Sequence, residues 1–132
     1  MKQGCLLSPT LFALFIDDLV SELNKHVGLV CGSRLLSALL YADDIVLLAP
    51  SPKDLQRQID VVTAWCLKWG IKINVTKTNV IHFHKETKNK QRSNFCFHTN
   101  GVPIEYVAEY RYLGFYINEH LDLAKSVDRV VN

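Results

Sequence analysis

Tyr41-Ala42-Asp43-Asp44 lies between two apolar runs, Leu35–Leu40 and Ile45–Ala49. Apolar runs of this length, bounded by turn residues, are typical of β-strands that are covered on both faces. We therefore predict a hairpin over 35–49, with its turn at Ala42–Asp44. Because removing a bare charge from water is costly, buried strands rarely carry unpaired carboxylates. The paired aspartates thus indicate a bound cation, and Mg²⁺ prefers such hard oxygen ligands.

Two interpretations of the aspartate pair remain open on spacing alone. Two metal ions about 4 Å apart, held by carboxylates, are the machinery of nucleotidyl transfer. An Asp-Asp pair is also common at the tip of a solvated hairpin, where it needs no metal. In a regular strand, Asp43 and Asp44 would point to opposite faces, so only turn geometry would let both approach one metal.

Two helices are predicted to flank the hairpin. Ser8-Pro9 and Ser51-Pro52 mark their starts, because Ser caps a helix N-terminus and Pro fits the first turn. Apolar residues then recur at helical spacing within Thr10–Lys25 and again before Gly70, which is suited to a helix end. The predicted apolar stripes are Leu11, Leu14, Phe15, Leu19 and Leu23 in the first helix, and Leu55, Ile59, Val62, Cys66 and Trp69 in the second.

The second half of the sequence is predicted to form strands. Apolar alternation favours strands over Ile71–Val75 and Asn79–His84, and Asn100-Gly101 is a strong hairpin-turn signal. The remaining predicted strands are Phe95–His98, Val102–Ile104 and a pair within Val107–Asn118 around Gly114. Strands and helices alternate without repeats. We therefore predict an α+β fold with an antiparallel sheet and helices packed on one face.

Composition limits the class of protein. The chain has 132 residues, 48% of them hydrophobic, which suits one domain with a substantial core. Lys and Arg number 15 against 13 Asp and Glu, so nucleic-acid contact would depend on local patches, such as the basic stretch 85–94. Four scattered cysteines without a CxxC pair favour reduced thiols and an intracellular location. No apolar run is long enough to span a bilayer, so we expect no membrane partner.

Further motifs surround the hairpin. They are Gln3-Gly4-Cys5-Leu6-Leu7-Ser8-Pro9 upstream, and Trp69-Gly70-Ile71-Lys72-Ile73-Asn74, Lys77-Thr78 and Tyr112-Leu113-Gly114 downstream. In this order and at these separations, the motifs resemble the reverse transcriptase, an RNA-directed DNA polymerase, of non-long-terminal-repeat retrotransposons. Group II intron maturases are more distant relatives. The resemblance runs from Gln3 to about Asn118, nearly the whole chain.

The resemblance implies a partial polymerase palm over residues 1–118, followed by a truncated segment, 119–132, that leads toward a thumb. It implies an RNA template, a DNA primer and two Mg²⁺ ions. Asp43 would be the principal metal ligand, and Asp44 would have a lesser role. The other implied site residues are Gln3 and Gly4 beside the template and incoming nucleotide, Tyr41 and Ala42 against the primer end, Lys77 near the triphosphate as a general acid, and Tyr112, Leu113 and Gly114 as a primer grip.

Each of these residues also has a simpler interpretation. Gln3 would be part of a frayed terminus, Tyr41 a packing residue, Lys77 an exposed loop lysine, and Tyr112 a core residue beside a tight turn. His82, His84, Cys96 and His98 suggest a second alternative. Each pair shares a strand face by alternation, so a zinc site would form if the two strands were neighbours.

In the family, fingers segments and a palm strand with the first metal-binding Asp precede the position of Gln3. Because the sequence begins at Met1, we expect these parts to be absent and the chain to be inactive alone. An exposed apolar palm surface and self-association would follow. The alternative function is a truncated or domesticated remnant that binds nucleic acid or protein without catalysis.

Overall fold

The computed structural model describes residues 8–25, 28–84 and 94–122. The chain divides into two compact units, Met1–Lys72 and Ile73–Asn132. Helices and small, mostly antiparallel sheets make up the described part, so the predicted α+β class is confirmed. The strands are distributed over several short pairings. The predicted domain limits, 1–118 and 119–132, stay a prediction.

The first unit contains the predicted hairpin between two helices. Its elements are α1 (Ser8–Asn24), β1 (Leu29–Cys31), β2 (Arg34–Leu36), β3 (Ala38–Tyr41), β4 (Asp44–Leu47) and α2 (Pro52–Lys68). Strands β1 and β2 form one antiparallel hairpin, and β3 and β4 form another. The first apolar run is therefore interrupted at Ser37, which lies between β2 and β3.

The core of this unit lies along one face of each helix. Helix α1 packs on α2, and α2 packs on β4. The described buried apolar residues are Ile16, Leu19 and Leu23 in α1, and Ile59, Val62, Trp65 and Cys66 in α2. Leu14 and Trp69 were predicted to be in the stripes, but both are exposed, because the buried face is turned toward Ile16 and Trp65. Burial raises the pKa of the Cys66 thiol, which keeps it protonated at neutral pH.

Local signals define both ends of α2. The Ser51 hydroxyl oxygen accepts a hydrogen bond from the Asp54 backbone N–H at 3.2 Å, and Pro52 occupies the first turn, as predicted. Gly70 follows the helix with a φ of 66°, a left-handed conformation that glycine adopts without a Cβ clash. The Ile71 N–H then donates to the Cys66 carbonyl oxygen at 2.8 Å, which closes the helix end.

The apolar strands of this unit are only partly covered. Side chains of β3 alternate between half-buried and exposed, and Leu39 and Tyr41 are exposed. All three residues of β1 are exposed, and Val30 keeps 80% of its accessible surface. The expectation of strands covered on both faces is therefore wrong for this chain. Self-association through such apolar residues stays a prediction. No described helix combines the length and apolarity needed to cross a bilayer.

The second unit is organised around one central strand. It contains a 3₁₀ turn (Val75–Lys77), β5 (Asn79–Val80), β6 (Phe97–Thr99), β7 (Val102–Tyr106), β8 (Glu109–Tyr112) and β9 (Phe115–Asn118). Strand β7 pairs in parallel with β5 and antiparallel with β6, while β8 and β9 form a separate hairpin. Val80, Phe97 and Ile104 are buried and form the apolar core described for this unit.

The predicted strand over Ile71–Val75 is not present. Asn74 instead organises a turn: its side-chain oxygen accepts from the Thr76 hydroxyl at 2.7 Å, and its carbonyl accepts from the Thr78 hydroxyl at 2.8 Å. Such local bonds compete with strand pairing. The predicted strand over Asn79–His84 is likewise limited to Asn79–Val80, since only these two residues pair with β7.

Two hairpin turns of this unit have similar φ values and a glycine in second place, but they differ in their first residue. Asn100 and Gly101 have φ values of 49° and 76°, and Leu113 and Gly114 have φ values of 49° and 87°. Two successive positive φ values are typical of the type I′ turn that joins adjacent strands. Asn tolerates this region because its short side chain bonds locally, whereas a bulky residue such as Leu seldom occupies it.

Replacing Leu113 by Asn is expected to increase the free energy of unfolding of the second unit by about 1 kcal/mol, because it relieves left-handed strain. The reciprocal change, Asn100→Leu, is expected to cost about the same amount. Urea unfolding followed by amide NMR signals of β8 and β9 measures the first variant, and signals of β6 and β7 measure the second. Equal stability of both variants and the unmodified chain would show that the turns carry no such strain.

Candidate active site

The candidate metal ligands lie at the tip of the β3–β4 hairpin. Tyr41 pairs with Asp44 across the hairpin, so Ala42 and Asp43 form a two-residue turn. Ala42 has a φ of 50°, in the left-handed region, which makes the reversal tight. All four residues are exposed. Within the described residues, neither aspartate side chain makes a hydrogen bond or an ion pair.

These two carboxylates suit a divalent cation by their chemistry. Adjacent negative charges without a cationic partner repel each other, and a cation between them would relieve that repulsion. Mg²⁺ is commonly bound by one or two carboxylates and completes its octahedron with water and substrate phosphates. Among the residues that the structure describes, no group of three His, Cys, Asp or Glu is placed to hold a metal ion. Asp43 and Asp44 therefore fit Mg²⁺ as part of a coordination sphere.

The second unit holds the other candidate residues. Lys77 is exposed at the end of the 3₁₀ turn, and its carbonyl oxygen accepts a hydrogen bond from the Tyr110 hydroxyl at 3.3 Å. Tyr110 lies in β8, two residues before Tyr112. The turn that carries Lys77 is thus tied to the hairpin that carries the predicted primer grip. Sequence patterns did not reveal Tyr110, because its partner lies 33 residues away.

The predicted site residues are divided between the two units. Tyr41, Ala42, Asp43 and Asp44 come together at one hairpin tip of the first unit. Lys77, Tyr112, Leu113 and Gly114 belong to the second unit, where Tyr112 is half-buried and Leu113 is exposed at the turn. Gln3 and Gly4 lie outside the described residues. The roles of all these residues stay predictions.

The zinc alternative is not supported by the strand order. Strands β5 and β6 flank β7 on opposite sides, so the segments that carry His82 and Cys96 are not neighbouring strands. His84 instead lies beside His120, with ring centroids 5.0 Å apart, and beside Glu119. In the described part of the chain, Cys31, Cys66 and Cys96 form no disulfide, and the reduced state stays a prediction.

Known proteins resemble this chain over most of its length. Residues 1–117 match the reverse transcriptase (RNA-dependent DNA polymerase) family. The RNA-directed DNA polymerase from mobile element jockey of Drosophila funebris is 30% identical over 133 residues, which cover 96% of this chain and 14% of that protein. The Pol polyprotein from the type-2 retrotransposable element R2DM of Drosophila melanogaster is 30% identical over 119 residues, covering 86% of this chain and 11% of that protein.

A third relative has the same character. The Pol polyprotein from the type-1 retrotransposable element R2 of Nasonia vitripennis is 28% identical over 142 residues, covering 98% of this chain and 14% of its own length. The chain therefore spans a small part of each of these relatives. The family match covers the aspartate hairpin, the Lys77 turn and the Tyr112-Leu113-Gly114 turn together. From these matches, the chain belongs to the reverse transcriptase family and is related to the polymerases of non-long-terminal-repeat retrotransposons.

Proposed function

We propose that this chain is the metal-binding palm portion of an RNA-directed DNA polymerase and that Asp43 is its principal Mg²⁺ ligand. The observation that carries the proposal is the pair of exposed carboxylates at the tip of a tight hairpin, with no ion pair or hydrogen bond among the described residues. Solvated aspartates without a ligand role would give the same exposure. The family membership favours the metal role.

The reaction of the complete polymerase would be templated nucleotidyl transfer. The 3′-hydroxyl of a DNA primer attacks the α-phosphorus of a deoxynucleoside triphosphate on an RNA template, and pyrophosphate leaves. Bound Mg²⁺ would stabilise the charge that develops on the phosphate oxygens. Asp43 would hold the ion, with Asp44 in a lesser role. Tyr41 and Ala42 would lie against the primer end.

Residues of the second unit would contact the pyrophosphate leaving group and the primer strand. The Lys77 ammonium group is exposed and would contact the triphosphate, where it could donate a proton to the departing pyrophosphate. The turn at Tyr112, Leu113 and Gly114 would hold the primer strand. The hydrogen bond from Tyr110 to the Lys77 carbonyl would keep these two elements in register.

The chain by itself would hold metal weakly and would not catalyse the reaction. Two carboxylates supply part of an octahedral site, and the described residues contain no third ligand group. A remnant that only binds nucleic acid or protein remains the alternative function. Metal binding distinguishes the polymerase palm from the remnant, because a module that only binds nucleic acid or protein does not require a metal ligand at Asp43.

Mn²⁺ is expected to bind the chain with millimolar affinity and to broaden the amide NMR signals of residues 40–46 first. A site with one or two carboxylates and water ligands is open and weak, and Mn²⁺ accepts the same oxygen ligands as Mg²⁺. Asp43→Ala is expected to abolish this local broadening, whereas Asp44→Ala is expected to reduce it.

Asp17→Ala provides a matched control, since Asp17 is an exposed carboxylate in α1. This variant should leave the broadening of residues 40–46 unchanged. Broadening that survives Asp43→Ala would refute the assignment of Asp43 as the principal ligand. Equal broadening around every exposed carboxylate would favour the remnant that binds without catalysis.

A further inference from the structure

A chain of hydrogen bonds holds the base of the aspartate hairpin between the two helices. The Gln58 side-chain amide of α2 donates from Nε2 to the Leu48 carbonyl at 3.0 Å. The Leu48 N–H donates to the Ser37 carbonyl at 2.8 Å, one step beyond the last pair of the β3–β4 ladder. The Ser37 hydroxyl donates to the Asn24 side-chain oxygen, in the last turn of α1, at 2.7 Å.

Two of the three side chains in this network are buried, whereas Asn24 is exposed. Gln58 is fully buried at 0% exposure, and Ser37 is 2% exposed. Because buried polar groups are costly unless they are hydrogen-bonded, an apolar residue at either position would be the simpler choice for stability. The bonds that Gln58 Nε2 and the Ser37 hydroxyl make are directional, so they favour one geometry of the groups they join. The network therefore selects one orientation of the hairpin relative to the helices.

These side-chain bonds matter because the described hairpin consists of only two strands. In the described part of the chain, β3 and β4 pair only with each other. An isolated two-stranded hairpin is marginally stable in water. Side-chain bonds at Ser37 and Leu48 attach its two strands to α1 and α2 at the end opposite to Asp43.

A small change in the tilt of the hairpin at its base displaces the aspartates at its tip by a larger distance. Tyr41 lies three residues beyond Ala38, which places the tip about 10 Å from the base at the usual rise of a strand. A tilt of about 10° would therefore move the aspartates by about 2 Å over that lever. Metal and catalytic groups must be held within about 0.5 Å, so a displacement of this size is damaging.

We infer that Gln58, with Ser37 and Asn24, is a positioning residue that sets the orientation of the metal-binding hairpin. Gln58, Ser37 and Asn24 are not among the site residues that the sequence motifs predicted. This inference rests on the proposed metal role of Asp43, but the orientation of the hairpin is measurable without metal.

The test uses the 132-residue chain with Gln58→Met, which removes the donor at similar volume. Amide residual dipolar couplings report the orientation of residues 38–47 relative to α2. We expect these couplings to change while those within α2 stay constant. We expect the Mn²⁺ dissociation constant, corrected for the folded fraction, to rise about tenfold, as is usual when a residue that orients a metal ligand is removed.

Gln56→Met is the matched control. Gln56 is also a buried glutamine of α2, but its Nε2 donates to Asp60 within the same helix at 2.7 Å. This variant is expected to lower the free energy of unfolding without changing the hairpin couplings. If Gln58→Met does not fold, Ser37→Ala carries the same test, because it removes the bond to Asn24 with a smaller change in volume.

Unchanged hairpin couplings in folded Gln58→Met and Ser37→Ala would overturn the inference, and so would equal changes in Gln56→Met. If the couplings change as expected but the unmodified chain binds no Mn²⁺, the positioning role stands and the proposed metal function fails. Local Mn²⁺ binding with unaltered affinity in both network variants would leave the metal function standing and overturn the positioning role.

Discussion

RNA-templated primer extension by the 132-residue chain is expected to be at least about a thousandfold slower than extension by a full-length relative such as the jockey polymerase. Metal ions stabilise the transition state of nucleotidyl transfer by several kcal/mol, and each 1.36 kcal/mol corresponds to about a tenfold change in rate. In the proposed site, Asp43 and Asp44 would supply part of one coordination sphere, and the described residues contain no group of three His, Cys, Asp or Glu that could hold a metal ion. The assay uses a labelled DNA primer on an RNA template with Mg²⁺ or Mn²⁺.

The double variant Asp43→Ala/Asp44→Ala is the control for this assay. It removes both candidate ligands, so any extension it still shows comes from a contaminating polymerase. Extension by the unmodified chain that is lost in the double variant would contradict the expectation of inactivity. Such a result would mean that another carboxylate, from this chain or from a second copy, completes the metal site.

The elements predicted most accurately are those defined by neighbouring residues. The start of α2 depends on Ser51 and Pro52, and its end depends on Gly70, all within a few residues of the bonds they make. The aspartate hairpin was predicted in the same way. Its turn was expected at Ala42–Asp44 and is one residue shorter, because Asp44 already pairs with Tyr41. Such signals can be recognised in the sequence because the capping residue and the backbone group that it bonds are only a few residues apart.

The strand predicted over Ile71–Val75 failed because two local effects outweighed apolar alternation. Ile71 is used to close the end of α2, and Asn74 forms side-chain and backbone bonds to the threonines that follow. Apolar alternation indicates which face of a strand would be buried, but it does not indicate whether a neighbouring strand is available for pairing. In the second unit, β5 pairs with β7 over only two residues.

The supporting residues of the candidate site could not be predicted for a related reason. Gln58 and Tyr110 bond to backbone carbonyls that lie 10 and 33 residues away. In the sequence, every backbone carbonyl is an equivalent hydrogen-bond acceptor. Only the tertiary fold determines which carbonyl lies next to the Gln58 or Tyr110 side chain. One signal was present: Gln58 lies three residues after Leu55 and four before Val62, so it shares a face of α2 with apolar residues, where a polar residue needs a buried partner.

Truncation of Phe97 is expected to have the largest effect on stability in the second unit. Phe97 is 2% exposed, pairs with Ile104 across β6 and β7, and contacts the rings of Phe95 and Tyr106 at centroid distances of 4.9 and 5.5 Å. Phe97→Ala removes this contact and leaves a cavity, which typically costs about 3–5 kcal/mol. Since small domains are stable by about 5–15 kcal/mol, this loss is a large share of the stability of the second unit, and we expect it to unfold at a clearly lower urea concentration.

Phe115→Ala is the matched control, because Phe115 is also a strand residue of the second unit but is 57% exposed. Its truncation is expected to change the free energy of unfolding by about 0.5 kcal/mol or less. Both tryptophans, Trp65 and Trp69, lie in the first unit, so their fluorescence reports that unit, and amide NMR signals of β6 and β7 report the second. Similar losses of stability for Phe97→Ala and Phe115→Ala would mean that Phe97 is not the centre of this core. If the amide signals of Val75–Lys77 show the same loss of about 4 kcal/mol, the Lys77 turn unfolds together with this core, as expected because β5 follows that turn directly and pairs only with β7 among the described strands.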